Sequence, residues 1–339
     1  MNTCLRARFI LIALLLTVPA LQARVGLNKI AQSTMNFLQV GLSARASGMG
    51  ETFCGAGRGA ESIFYNPAGL AESASRFDVR LYTVQWIADI NYMAGAVSYD
   101  MGRYGAVGVS FLSVDYGDIH ATSLLDDSER ALYPGGYKDN GLAGNVGAYA
   151  FGISYGRAIS TQFLIAGNAR IAGQNLGTTA MAGGSVKENN ASKLVFDAGV
   201  KYYAGLKSFR FGMAIRNFTS NLKREEINEQ LPLTFVMGAA VDLYDFLRDG
   251  DNEDHQLTLA VDFLHPNNYS ERVNVGAEYL FMKRFALRGG YQSNQDIASW
   301  SAGVGLNAVM GGSAIAFDYS YSSFKVFDGV NRFALGIGF

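Results

Sequence analysis

The residue types that carry out chemistry in enzymes are sparse in this sequence and form no recognisable site. The three histidines, His120, His255 and His265, fall in or near predicted connections, and none stands at a spacing typical of metal ligands. A Ser/His/Asp triad has no local support either. We therefore predict a protein that is not an enzyme and that holds neither a metal nor a cofactor.

Two short stretches resemble ligand loops but lack residues that such loops need. The glycine-rich run at 55–59 has no Lys-Ser/Thr ending and follows no predicted strand, so flexible backbone is a better interpretation than a phosphate loop. An acidic run resembles half of a calcium loop and consists of Asp249, Asp251, Glu253 and Asp254. The glycine and the distal glutamate that calcium loops require are missing from it, which favours a solvated turn.

Composition and charge narrow the class of protein. Hydrophobic residues make up 49% of the 339 residues and charged residues 17%, against about 25% charged residues in typical domains. The formal net charge is −1, so the chain lacks the basic field that polyanion binding requires, and we expect no nucleic-acid partner. Residues 1–23 have the form of a signal peptide, because Arg6 and Arg8 precede the apolar run 9–18 and small residues follow at Ala20 and Ala23.

From residue 76 to residue 339 the sequence consists of about fourteen segments that alternate apolar with small or polar residues. Because successive strand side chains point to opposite faces, each such segment has two faces. In the clearest segments one face carries no charge, as in the series Tyr149, Phe151, Ile153 and Tyr155. The other face is mostly Gly and Ala and carries a sparse, nearly balanced set of charges: Asp197, Lys201, Arg210, Arg216, Asp262, Glu278, Arg288, Asp318 and Arg332.

The Gly- and Ala-rich face indicates whether lipid or another protein layer covers the uncharged face. A soluble sheet presents a Lys- and Glu-rich face to water, whereas Gly and Ala with few balanced charges suit an enclosed lumen. In lipid every backbone polar group needs an internal partner, so the strands must close into a barrel. We therefore predict an all-β fold, a 14-stranded antiparallel transmembrane β-barrel at 76–339, in the outer membrane of a diderm bacterium. Within the lumen, Glu278 and Arg288 are expected to pair across neighbouring strands.

The connections and the last residue add to this prediction. Long connections at 117–141, 176–190 and 218–230 alternate with tight ones, as expected if both termini are periplasmic and the long loops face outward. The chain ends in an alternating segment whose last residue is Phe339. This ending resembles the terminal signal that the barrel-assembly machinery reads, so we expect that machinery as a partner during biogenesis.

Residues 24–75 precede the predicted barrel and do not alternate. They contain two motifs, G-L-S-A-R-A-S-G-M-G at 41–50 and F-Y-N-P-A-G-L-A at 64–71. The order and spacing of these motifs resemble the amino-terminal region of the PorV/PorQ family, which belongs with the FadL-like outer-membrane barrels. The resemblance implies that 24–75 form a plug inside the lumen, with the motif residues Arg45, Gly48, Gly50, Asn66, Pro67, Ala68 and Gly69.

Fourteen strands leave space inside a barrel, and a wall of Gly and Ala suits a plug in that space. Arg45 would be a cation in the lumen, available to one of the inward acids, and Asn66-Pro67 is a plausible turn. These two residues either anchor the plug or contact a ligand, and anchoring is the expectation. Cys54 is expected to be an inert thiol within the plug.

The resemblance implies two functions. Members of the PorV/PorQ group serve type IX secretion, so the first prediction is a protein that binds secretion subunits or cargo at the outer membrane. The alternative is a FadL-like passive transporter, which passes hydrophobic small molecules through the plugged lumen and out between strands. The motifs are shared by both groups and do not choose between them.

Overall fold

The computed structural model describes residues 33–125, 127–144, 146–180, 186–224, 227–247, 254–295 and 298–339. Fourteen strands form one closed antiparallel barrel in which each strand pairs with its neighbours along the chain and the first pairs with the last. The strands are β1 (Phe77–Gln85), β2 (Asn91–Asp100), β3 (Ala106–Asp115), β4 (Val146–Ala158), β5 (Phe163–Ala180), β6 (Val186–Tyr203), β7 (Arg210–Phe218), β8 (Thr234–Asp242), β9 (His255–Pro266), β10 (Arg272–Phe281), β11 (Phe285–Gln292), β12 (Ala298–Met310), β13 (Ser313–Phe324) and β14 (Val330–Gly338).

The predicted fold class is confirmed, and the alternation of the strands explains why the sequence folds this way. Along β4 the large residues Phe151 and Ile153 are exposed, whereas Gly152 between them and Ala150 and Ser154 on either side are buried. The same alternation leaves an apolar surface around the barrel and small or charged residues inside it. A closed barrel with an apolar exterior satisfies its backbone internally and is the architecture of an outer-membrane protein. Among the described residues, no helix is long and apolar enough to cross a membrane.

The two ends of the barrel differ. At the end that holds Phe77 and Phe339, connections such as 159–162 and 282–284 are short; we call this the turn end. The opposite end, the loop end, carries a hairpin of His120–Leu124 with Tyr137–Leu142 and a smaller one of Leu222–Arg224 with Ile227–Glu229. Short periplasmic turns and longer outer loops are the rule for such barrels, which puts the loop end outward.

Two of the predicted connections differ in the structure. The region 176–190 is largely strand rather than loop, because β5 continues to Ala180 and β6 begins at Val186, so this pair of strands projects beyond the rim. The acidic region after β8 begins with a short helix, α2 (Leu243–Leu247). Asp249, Asp251 and Glu253 lie outside the described residues, and Asp254 directly precedes β9.

Residues 33–75, which we call the luminal segment, run through the interior of the barrel. The segment contains α1 (Ala44–Gly48) and three 3-10 turns, at Asn36–Gln39, Gly59–Phe64 and Pro67–Glu72. Further 3-10 turns lie between the first strands, at Ile87–Asp89 and Gly102–Tyr104. The helix α1 packs against β11 to β14, the second turn against β1 to β3, and the third against β3 to β6, so the luminal segment touches most of the wall.

The luminal segment enters at the loop end and leaves at the turn end. The Thr34 backbone N–H donates to the Gln230 carbonyl (3.0 Å) in the smaller loop-end region, whereas Phe77 begins β1 beside Phe339. The predicted periplasmic amino terminus of the processed chain concerns 24–32, and the predicted signal peptide concerns 1–23; both ranges lie outside the described residues. The first described residues lie at the loop end, opposite to the simplest expectation for a periplasmic start.

Glycines on the inner wall allow the luminal segment to approach. A Cβ built on Gly276 would stand 2.1 Å from the Met49 carbonyl oxygen, and one on Gly290 would stand 2.1 Å from the Gly50 nitrogen. Both obstacles are backbone, which cannot move aside as a flexible side chain can. The abundance of glycine on this face therefore has a packing cause, since backbone lies directly against backbone there.

Candidate functional site

The nine charged wall residues predicted from the alternation all point into the lumen. Eight are buried and Arg216 is half-buried. They do not form one continuous network. Most of them lie in separate groups around the wall. These groups are completed by Arg45, which was predicted as a luminal cation, and by four charged residues that were not predicted: Glu51, Glu72, Arg170 and Asp242.

The largest charged group joins the luminal segment to β10, β11 and β13. Glu278 accepts from Arg45 Nη2 (2.6 Å), Arg45 Nε (2.8 Å) and Arg288 Nε (2.6 Å), and Arg288 Nη1 donates to Asp318 (2.7 Å). The expected pair between Glu278 and Arg288 is thus present. Two acids and two bases alternate in this group, so each buried charge faces an opposite one with charge-assisted hydrogen bonds.

Four of the remaining six wall charges are held by other partners. Lys201 donates to the Gly57 carbonyl (3.0 Å) and to Glu72, and Arg210 pairs with Asp242 (3.1 Å). Asp197 accepts from Arg170 (2.9 Å). Arg332 donates to the Gly41 carbonyl and to Ser322 and lies 3.7 Å from Glu51.

Sequence reasoning could have found some of these partners. Arg170 and Asp242 lie in predicted segments with the inward parity of the other charges, so the alternation already places them in the lumen. The partners from the luminal segment, Glu51 and Glu72, carry no such signal, because that segment has no regular period.

The motif residues of the luminal segment hold its own fold and its attachment to the wall. Asn66 caps the turn that starts at Pro67, since its Oδ1 accepts from the Ala68 N–H (3.1 Å), while its Nδ2 donates to the carbonyls of Cys54 (2.9 Å) and Val200 (3.0 Å). Gly50 donates its backbone N–H to Ser301 on β12 (3.1 Å).

Gly48 and Gly69 are sites of close approach. The first lies against Gly303 and Arg288, and a Cβ on the second would stand 2.4 Å from the Gly57 carbonyl oxygen. These contacts are structural.

Burial shifts the pKa of several titratable groups of the luminal segment, among them Glu61 and Cys54. Glu61 accepts from Ser43 and lies 4.0 Å from Arg45, yet burial raises its pKa despite the nearby guanidinium groups of Arg80 and Arg45. Burial also raises the pKa of the Cys54 thiol, and the neighbouring Asp262 raises it further. Cys54 therefore stays protonated at neutral pH, as expected for an inert thiol.

A cavity of about 900 Å³ lies at the loop end, above the luminal segment; we call it the chamber. One side of it is aromatic. Trp86 stands edge-on to Phe324 (5.2 Å between ring centroids) and to Tyr92 (6.1 Å), and the Arg332 guanidinium lies 5.6 Å from the Trp86 ring. The other side is polar and includes Gln39, Glu51, Gln174, Arg216, Asp262, Arg272, Asn274 and Gln292. A volume of this size suits a small organic molecule.

Residues that suggested other chemistry lie apart from the chamber. His120 pairs with Asp139 in the larger loop-end hairpin, and His255 contacts Tyr279 near the turn end. His265 faces Glu271. Among the described residues no cluster of His, Cys, Asp or Glu could hold a metal ion.

One sequence match to a hydrolase motif is also explained by the fold. The run at 152–156 reads G-I-S-Y-G, the pattern of a nucleophile elbow, but it lies within β4 rather than at a strand-to-helix turn. Ser154 donates to Asn168 on the neighbouring strand (3.1 Å). This serine is therefore part of the lumen wall.

Comparison with solved structures places the fold. The chain is similar to the toluene transporter TbuX of Ralstonia pickettii (TM-score 0.54, 15% identity, 88% of this chain and 97% of that chain) and to the toluene transporter TodX of Pseudomonas putida (TM-score 0.54, 11% identity, 88% and 97%). It is also similar to the monoaromatic hydrocarbon channel CymD (TM-score 0.54, 11% identity, 88% and 96%). No protein-family model matches the sequence, and no curated protein matches it. The chain is thus an outer-membrane barrel with a FadL-like fold.

Proposed function

We propose that this protein is a FadL-like passive channel that passes hydrophobic small molecules across the outer membrane. The observation that carries the proposal is the chamber at the loop end, with its wall of Trp86, Tyr92 and Phe324, where a molecule arriving from outside would first be held. The shared fold with transporters of toluene and monoaromatic hydrocarbons supports this function over the secretion role. Fold alone does not determine function, so the chamber is the feature to test.

The wall next to the chamber supports an exit between strands. The β6–β7 ladder shifts register between Phe196 and Ala198, and opposite this shift Asn217 has a left-handed backbone (φ 62°). The Asn217 N–H donates to the Asp197 side chain (2.7 Å) instead of to a ladder carbonyl. This bulge adjoins Arg216, which lines the chamber, so regular pairing in the wall is interrupted beside the cavity.

The test is to fill the chamber and measure uptake. Val236→Trp places a large side chain at the inner wall of the chamber, and we expect it to slow the entry of a hydrophobic fluorescent probe into cells with an intact outer membrane. The matched control is Val304→Trp, a half-exposed lipid-facing position on β12, which should leave uptake unchanged. Equal uptake by the two variants, both present as folded barrels, would remove the channel function.

The second candidate is the type IX secretion role implied by the N-terminal motifs. The observation that favours it is the larger loop-end hairpin, which leaves Leu132, Tyr137 and Leu142 exposed where a partner protein would bind. If this role is correct, secretion subunits or cargo should co-purify with the intact protein from its own cells and be lost when 118–143 are replaced by a short turn. Recovery of no such partner with either form would exclude it.

A further inference from the structure

Three residues that line the chamber have a buried side-chain oxygen that accepts no hydrogen bond from any described residue. One oxygen, Glu51 Oε1, lies 3.7 Å from the Arg332 guanidinium. The other two are Asp262 Oδ1 and Asn274 Oδ1. The two side chains lie opposite each other in the β9–β10 ladder, both line the chamber, and they are 2% and 1% exposed. Buried acceptors normally have a donor, so this part of the chamber, which we call the chamber floor, is suited to a ligand that brings one.

The Asp262 carboxylate is held in one orientation by the luminal segment. Its Oδ2 accepts from the backbone N–H groups of Phe53 (2.8 Å) and Cys54 (2.9 Å). No described cation lies within ion-pair distance of it. The second oxygen is therefore fixed in place, which is the arrangement expected of a preorganised binding group.

An apolar patch lies directly beside the two acceptors. Val236 and Leu264 are partners in the β8–β9 ladder, and Leu264 is two residues from Asp262 on the same face of β9. The Cys54 sulfur lies 3.9 Å from the Val236 carbonyl oxygen and completes the patch. An apolar body of a few carbon atoms can rest on this patch while a polar group at its end reaches the acceptors.

We infer that the chamber floor binds apolar molecules carrying a hydroxyl group, of the alcohol or phenol class, in preference to plain hydrocarbons. This inference rests on the proposed channel function and specifies its substrates. A hydroxyl group donates to Asp262 Oδ1 and can also accept, so it suits Asn274 whichever way that carboxamide is turned. An ammonium group is a poorer fit, because the cations Arg216, Arg272 and Arg332 outnumber the anions Glu51 and Asp262 among the described residues that line the chamber.

Three probes of one shape separate these possibilities: cyclohexanol, methylcyclohexane and cyclohexylamine. Binding is measured by calorimetry with the full protein in lipid nanodiscs, after subtraction of empty nanodiscs. We expect cyclohexanol to bind about tenfold more tightly than methylcyclohexane to the unmodified protein. Asp262→Asn and Asn274→Leu, which keep side-chain shape but remove an acceptor, should each abolish most of that preference. Asn307→Leu, an inward position near the turn end, should retain it.

The experiments give different results if the preference for a hydroxyl group is wrong and if the proposed channel function is wrong. Equal binding of cyclohexanol and methylcyclohexane, or a preference that survives Asp262→Asn, overturns the hydroxyl assignment. Tightest binding of cyclohexylamine overturns it in favour of a cation site. In each of those cases the channel function stands as long as Val236→Trp slows uptake. If Val236→Trp has no effect and no probe binds, the channel function itself fails.

Discussion

Glu278 is one of the carboxylates that attach the luminal segment to the wall. It faces two guanidinium groups, from Arg45 and Arg288. Glu278→Gln keeps the shape but leaves two buried cations side by side, and we expect it to lower the free energy of unfolding by about 3 kcal/mol, measured by denaturant titration in lipid vesicles. Asp139→Asn is the control, because its pair with His120 is exposed and should contribute nothing measurable. Equal stability of the two variants would contradict this.

Lipid exposure can be tested at Val275, which points outward from β10 and is 46% exposed. Val275→Arg should cost about 2–4 kcal/mol if the residue lies at the bilayer midplane. The neighbouring inward Gly276 is not a usable control, since any side chain there meets the Met49 carbonyl oxygen. The control is Gln292→Arg, because Gln292 lines the chamber and an arginine side chain reaches solvent there. Unfolding titrations in which both variants lose the same stability would argue against a lipid-facing Val275.

At the level of single residues, the sequence predicted which side chains point into the barrel better than it predicted which residues they contact there. The alternation places Glu278 and Arg288 inside the barrel and even opposite each other, because parity and strand order are local properties. Arg45 was expected in the lumen beside one of the inward acids, but the sequence does not identify that acid as Glu278, because 233 positions separate the two residues. Nor does it reveal the free oxygens of Asp262 and Asn274, which depend on how the luminal segment lies against the wall.

The next scale is the strand, and β11 contains an internal comparison. Gly289 faces outward, and a Cβ added there would have nothing within 4 Å, whereas the adjacent Gly290 lies against the backbone of Gly50. Gly290→Ala should therefore lower the free energy of unfolding by about 1–3 kcal/mol, because the added methyl group overpacks the contact with Gly50. Gly289→Ala should be neutral or slightly stabilising, because glycine weakens a strand interior. Unfolding titrations that do not distinguish the two variants would show that the luminal segment does not approach β11 this closely.

The strands themselves were predictable and the irregular elements were not. A strand with one lipid-facing side must alternate, so its position can be read from the sequence within a few residues. The ends of β5 and β6 project beyond the bilayer, and outside lipid a strand no longer has to alternate apolar with polar residues. The prediction of a loop at 176–190 was wrong because these strand ends lack that alternation. The turns of the luminal segment are fixed by the cylinder they fill, as the Asn66 contact with Val200 illustrates.

For the whole molecule, closure of the barrel determines how the other parts act. Because the wall has no free edge, the luminal segment is attached to it from the inside at several strands: through Asp262 on β9, Glu278 on β10, Ser301 on β12 and Arg332 on β14. Attachments spread around the wall oppose removal of the segment as one body. Passage through the proposed channel is thus more easily reconciled with an exit beside Asn217 than with ejection of the segment.

The orientation of the molecule provides the last prediction. In a Cys54→Ala background, we expect single cysteines at Thr122, in the loop-end hairpin, and at Asn36, near the start of the luminal segment, to react on intact cells with a maleimide too large to cross the outer membrane. A cysteine at Thr161, in the turn between β4 and β5, should react only after lysis, because short turns are periplasmic. Reaction at Thr122 but not at Asn36 would mean that the luminal segment does not begin at the cell surface. The reverse pattern, with Thr161 labelled on intact cells, would invert the barrel and place the chamber on the periplasmic side, where it could not receive molecules from outside.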